Sequence, residues 1–95
     1  MTYKILWAYE AGTNLLGIRN YIEAEDPRTA KRIAGLIKEC ALSLQTLPHR
    51  GKPGRKRGTR ELVLPNLPWI IGYCVDERSR TVTILRIHHY AQLRD

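Results

Sequence analysis

Along residues 2–8, TYKILWA, the side chains alternate with a period of two, Ile5 and Trp7 on one face and Lys4 and Leu6 on the other. Successive side chains of a strand point to opposite faces, so this predicts a short first strand. From Glu10 to Glu25 the period lengthens. Leu15, Ile18 and Ile22 recur at helical spacing, with Leu16 and Tyr21 at the edges of the stripe. Gly12 and Gly17 weaken this helix and blur its start. At EDPRTAKR a second helix begins, with Asp26 placed to cap it and Pro27 at its first turn. Ala30, Ile33, Ala34, Ile37, Ala41, Leu44 and Leu47 then form one apolar stripe that Pro48 ends. Two helices this close in sequence form an antiparallel hairpin.

Three strand candidates follow: 59–65, 68–77 and 80–90, the last two separated by the turn residues DERS. Short connections make them a meander. The expected fold is α+β, in the order β-α-α-β-β-β, with a helical hairpin on one face of a small, mostly antiparallel sheet spanning residues 1–95. Strict alternation along the last strand puts Val82, Ile84, Arg86 and His88 on one face and Thr83, Leu85, Ile87 and His89 on the other. Leu85 and Ile87 suit packing against the helices, which leaves Arg86 and His88 on the open face.

Ninety-five residues suit one domain. The apolar fraction of 43% is that of a globular chain. With no Phe, aromatic packing rests on five Tyr and two Trp. The formal charge of +7 and pI near 9.9 favour an anionic partner, whether nucleic acid, a membrane surface or an acidic protein. No segment has the length and apolarity of a membrane span, and the N-terminus lacks a basic region followed by a long apolar one. Cys40 and Cys74 lie in apolar stretches without metal-ligand spacing and read as small buried side chains. These features together point to a bacterial cytoplasm and to no metal or cofactor.

Six of the sixteen Lys and Arg residues crowd into HRGKPGRKRGTRELVL (49–64), where Glu61 is the first acid. Arg50, Lys52, Arg55, Lys56, Arg57 and Arg60 repel one another at this density, so an anionic partner explains them better than a plain connector. Arginine dominates, which favours two-pronged contact with phosphate or carboxylate. There is no P-loop and no zinc signature, and Ser43 and Ser79 have no visible triad partners. His88 and His89 point to opposite faces of a strand, poor geometry for joint metal binding.

PGRKRGTRELVL, PWIIGYCVDE and VTILRIHHYAQLRD together resemble the C-terminal half of the ParE/RelE superfamily of toxins from bacterial type II toxin–antitoxin modules. IRNYIEAEDPRTAKRI is similar to that family's first helix, Asp-Pro turn and second helix. The resemblance covers nearly the whole chain and implies the same β-α-α-β-β-β fold. It also implies a cognate antitoxin that wraps the toxin through its C-terminal segment, contacts operator DNA through its own DNA-binding part, and serves plasmid stabilisation or growth control.

Within the superfamily two activities compete. A ParE-like toxin inhibits DNA gyrase and blocks replication. A RelE-like toxin is a ribosome-dependent mRNA endonuclease, for which Arg60, Arg86 and His88 would be the catalytic set. Two basic positions of the RelE-like pattern fall here on Leu62 and Ile70, and beyond RIHH the chain offers Tyr90 and Arg94. These departures favour the ParE-like branch. A toxin fold that has lost toxicity and serves only to bind antitoxin is a third reading. For target or antitoxin contact the expected residues are Arg50, Lys52, Arg55, Arg57, Arg60, Arg86, His89 and Tyr90. Charge reversal at Arg55 and Arg57 is expected to weaken antitoxin affinity and toxicity together.

Overall fold

A computed structural model describes residues 2–93. The elements are β1 (Lys4–Trp7), α1 (Tyr9–Glu23), α2 (Pro27–Leu42), a 3-10 turn (Ser43–Gln45), β2 (Lys52–Pro53), β3 (Arg60–Val63), β4 (Trp69–Asp76), β5 (Thr81–His89) and a second 3-10 turn (Tyr90–Leu93). The five strands form one sheet in the order β1-β5-β4-β3-β2. β1 pairs parallel with β5, and the other three pairings are antiparallel. The expected α+β order is present, with β2 added as a two-residue strand inside the basic segment.

Asp26 caps α2 by accepting from the Thr29 N–H at 3.1 Å and from its hydroxyl at 2.6 Å. Those two bonds hold its carboxyl below the usual carboxylate range, the side-chain bond contributing most. The stripe on α2 is buried as Ala30, Ile33, Ala34, Ile37 and Ala41, and continues to Leu44 in the following turn. Leu47 is exposed, because the helix has already given way to the 3-10 turn before it. α1 buries only Ala11 fully; Leu15, Ile18 and Ile22 pack at the margin of the core. Leu16 and Tyr21 are exposed.

The sheet's helix side supplies Leu62, Leu64, Ile71, Tyr73, Val82, Ile84 and Ile87 to the core. Each fully buried aliphatic side chain there is worth about 1.5–3 kcal/mol. The helix side therefore carries most of the stability, and the opposite face is left to other uses.

The expected alternation along the last strand fails at one residue. Gly72 pairs with Arg86 and Tyr73 with Ile84, so Leu85 is an extra residue in β5 with no partner on β4. This is a β-bulge: two residues of one strand oppose one of its neighbour, and the alternation resets. Val82 and Ile84 therefore face the helices before the bulge, and Ile87 faces them after it. Arg86 and His88 do take the open face, but Val82 and Ile84 do not accompany them. Leu85, expected to pack on the helices, instead lines the open-face cleft beside Arg86.

The outer edge of β5 is only partly covered. β1 covers the outer edge of β5 only from Thr81 to Ile84. Beyond that point the Ile87 N–H has no strand partner, and Asn14 of α1 accepts its hydrogen bond at 2.9 Å.

Candidate functional site

The basic segment is an ordered hairpin. At its base the buried Tyr73 hydroxyl donates to the Pro48 carbonyl at 2.8 Å and accepts from the Gly51 N–H at 2.9 Å. Burial pushes this phenol up from its ordinary pKa, so it stays a donor. A Cβ on Gly51 would lie 2.6 Å from the Tyr73 oxygen and 2.8 Å from the Glu61 carbonyl, which is why the position carries no side chain. β2 then pairs with β3 through Lys52↔Glu61 and Pro53↔Arg60. The tip is closed by Gly54 N–H to the Thr59 carbonyl at 2.8 Å, Thr59 N–H to the Lys56 carbonyl at 3.1 Å and the Thr59 hydroxyl to the same carbonyl at 2.5 Å. Gly58 sits at φ +82°, a left-handed conformation that glycine adopts without strain.

Strand register decides which charges share a face, because paired residues on neighbouring strands point the same way. Lys52, Glu61, Gly72 and Arg86 form one row across four strands of the open face. Val63, Ile70 and His88 form the next. Pro53, Arg60, Tyr73 and Ile84 form a row on the helix face.

Arg60 is therefore on the opposite side of the sheet from Arg86 and His88. Its guanidinium donates to the carbonyls of Gly51 at 2.5 Å and His49 at 3.4 Å, the first a good hydrogen bond and the second a weak one. The three residues expected as a catalytic set border one cleft, but the Arg60 guanidinium is tied to backbone carbonyls of the hairpin's base. Leu62 lies in the core, and Ile70 is buried on the open face beside His88.

The open face holds a cleft of about 320 Å³ whose lining includes Arg55, Lys56, Arg60, Glu61, Arg86 and His88. Gly72 lets the Arg86 side chain lie across the sheet: its Cγ is 3.5 Å from where a Cβ would stand on Gly72. Glu61 is buried there, between Lys52 and Arg86 in its row. Both ring nitrogens of His88 are buried and lack a hydrogen-bond partner among the described residues. Burial and then the nearby Arg86 hold its pKa below the ordinary imidazole value, with Glu61 acting in the opposite direction. His89 lies on the other side, edge-on to Trp69 with ring centroids 6.4 Å apart and 5.0 Å from the Tyr90 ring.

Arg50 donates to the Ser43 hydroxyl at 2.8 Å, tying the hairpin's base to the end of the helical layer. His49 meets Glu77 at 2.7 Å, and Glu77 also accepts from the Tyr3 hydroxyl at 2.5 Å. Chiefly through that Tyr3 bond, Glu77 is held below the usual carboxylate range. Sequence reasoning passed over Tyr73, Gly72 and Glu61. The first two are legible only once the strand register is known, and Glu61 only as the first acid after a run of cations. Arg94 lies outside the described residues.

A two-layer α+β molecule with a basic hairpin at the sheet edge is the class that fold and site define. The family model described as ParE toxin of type II toxin–antitoxin system, parDE, matches residues 5–94, and the chain belongs to this family of the ParE/RelE superfamily. A candidate toxin of Sinorhizobium fredii, Y4kP, is 40% identical over 89 residues, covering 94% of this chain and 90% of that one. Toxin RelE2 of Caulobacter vibrioides is 34% identical over 90 residues, covering 95% and 98%. Among solved structures, the chromosomal ParDE system of P. aeruginosa superposes with a TM-score of 0.82 at 24% identity, covering 93% of this chain and 96% of that one. The RelBE2 toxin–antitoxin complex of Mycobacterium tuberculosis follows with 0.70 at 27%, covering 94% and 99%.

Proposed function

We propose that this toxin inhibits DNA gyrase, and with it replication, and that a cognate antitoxin neutralises it. The observation that carries the choice is the position of Arg60. A ribonuclease of this fold needs several cations converging on one phosphate to stabilise a developing phosphorane. Here Arg60 borders the cleft of Arg86 and His88, but its guanidinium is spent on the Gly51 and His49 carbonyls. Apolar Leu62 and Ile70 add no charge. That distribution suits a protein that acts by binding.

Antitoxin contact is supported by exposed apolar side chains away from the basic hairpin. Leu6, Trp7, Tyr9, Leu16 and Tyr21 of β1 and α1 are exposed large apolar side chains, the kind that mark interaction sites. An amphipathic segment of a partner fits there by its apolar anchors. The relatives' structures described as toxin–antitoxin complexes agree with such a partner.

One observation favours a second reading, a ribosome-dependent mRNA endonuclease. His88 is beside Arg86 with both ring nitrogens unpartnered, and with its pKa lowered by burial an uncharged imidazole there has a free nitrogen to accept a proton as a general base. Purified chain added to gyrase and supercoiled plasmid tests the first reading. Accumulation of linear plasmid after denaturation supports it. Unchanged supercoiling and cleavage, together with mRNA cutting on ribosomes that His88→Ala abolishes, favours the second.

A further inference from the structure

We infer that the 52–60 hairpin, with Arg86 behind it, is a contact surface for the phosphodiester backbone of duplex DNA. The inference rests on the gyrase reading and adds a ligand to it: the toxin touches the DNA that gyrase holds, as well as the enzyme.

Four observations carry it. First, between Glu39 and Glu61 the chain has six Lys and Arg residues and no acid. Second, five of those charges sit on a hairpin fixed at its tip by three hydrogen bonds and at its base by Tyr73 and Arg60. A preformed array of cations loses less conformational freedom on binding than a mobile tail would. Third, the large exposed apolar side chains lie elsewhere; none falls between Leu47 and Val63. A protein partner is held chiefly by apolar and aromatic anchors, whereas a phosphate backbone is held by charge alone. Fourth, residues 50–64 include no aromatic. Single-stranded nucleic acid is gripped by stacking on aromatic rings, so a surface without them suits a duplex.

The open-face cleft extends this surface. Arg55 and Lys56 stand on its hairpin wall and Arg86 on its floor. Glu61, buried in the row between Lys52 and Arg86, balances charge at the floor, so the positive excess lies at the rim. A phosphate seated at the rim would meet the hairpin first and Arg86 second. This divides the molecule between two partners: the hairpin for DNA and the apolar surface of β1 and α1 for the antitoxin. Antitoxin affinity should then be indifferent to charge at the hairpin tip, in contrast to the expectation from sequence.

The test is fluorescence anisotropy of a mixed-sequence DNA duplex against the full chain over a salt series. The comparison variant is Lys56→Gln/Arg57→Gln, which changes only exposed side chains. Each phosphate neutralised contributes about −0.9 to the slope of log K against log salt. Three contacts predict a slope near −2.7, so affinity falls about 20-fold from about 50 to about 150 mM salt. The variant should fall only about 3-fold over the same range. Its affinity for the antitoxin should be unchanged.

Equal slopes for the two proteins, no duplex binding at low salt, tighter binding to an RNA of the same length, or loss of antitoxin affinity instead of DNA affinity would each overturn the inference. The gyrase cleavage assay on the wild-type chain separates the two claims. A chain that traps gyrase yet shows no hairpin-dependent DNA binding refutes the DNA contact alone. A chain that leaves gyrase unaffected refutes the gyrase reading, whatever its salt slope.

Discussion

A single hydroxyl organises the hairpin's base. The Tyr73 oxygen is buried, and both its bonds go to backbone groups at the hairpin's entry. Tyr73→Phe keeps the ring and leaves the Pro48 carbonyl and Gly51 N–H unsatisfied, at a cost of about 1–3 kcal/mol. Urea denaturation should show that loss, and hydrogen exchange should show faster amides across 49–60 while α2 is unchanged. Gly51→Ala attacks the same contact from the other side, because its Cβ would overlap the Tyr73 oxygen. Overpacking of this kind costs about 1–3 kcal/mol. Both substitutions should weaken DNA binding as the hairpin loosens.

His88 makes a pH-dependent contribution, and its sign is fixed. Its folded pKa lies below the unfolded value of 6.5, so the unfolded chain takes up the proton first. The stability is fully present above pH 6.5 and is lost as pH falls from there through the folded pKa. Stability measured by urea midpoint should decline over that window in the wild type. His88→Asn should remove that component and leave the decline from carboxylates at lower pH.

At the scale of elements, the bulge at Leu85 decides which side chains reach the open face. Deleting Leu85 would remove the extra residue and leave Ile84 and Arg86 as neighbours in regular alternation, so Val82, Ile84 and Ile87 stay toward the helices and Arg86 and His88 stay on the open face. No charge is buried and no core residue exposed, so the deletion variant should still fold cooperatively, as read by near-UV circular dichroism and urea melts, with Leu85 lost only from the cleft lining. Leu85→Ala keeps the extra residue and should also retain the fold. The α2 cap is a local feature. Asp26→Ala should lower the urea midpoint without changing the hairpin's exchange rates, since the cap's bonds are local to Asp26 and Thr29.

The same elements show how far the sequence could be read. Helical spacing in α2 and the cap at Asp26 are local signals, and the helix forms where they put it. The strands and the meander follow from alternation and short turns. The bulge could not be read, because Leu85 is as apolar as its neighbours and only pairing with Gly72 and Tyr73 reveals it as extra. The site suffered for the same reason. Arg60 and Arg86 look equivalent as cations on strands, and only register puts them on opposite faces of the sheet. The hairpin's charge was plain; its rigidity was not, since Tyr73 lies 22 residues from Gly51.

At the scale of the whole molecule, the arrangement divides labour. The helix side of the sheet is packed for stability. The exposed apolar side chains of β1 and α1 suit a protein partner. The basic hairpin and the cleft beside it suit an anion. Under the proposed gyrase reading, toxicity depends on binding and needs no proton transfer. Arg60→Gln should then reduce activity only as far as it loosens the hairpin, in parallel with Tyr73→Phe, whereas a catalytic arginine would be lost in a step of several orders of magnitude.

The most direct test of gyrase inhibition is pulse labelling of DNA and protein synthesis in cells expressing the chain without its antitoxin. The account predicts that thymidine incorporation falls first, while methionine incorporation continues over the same early interval. An early halt in methionine incorporation with DNA synthesis still running would contradict it and make the toxin an enzyme acting on translated mRNA.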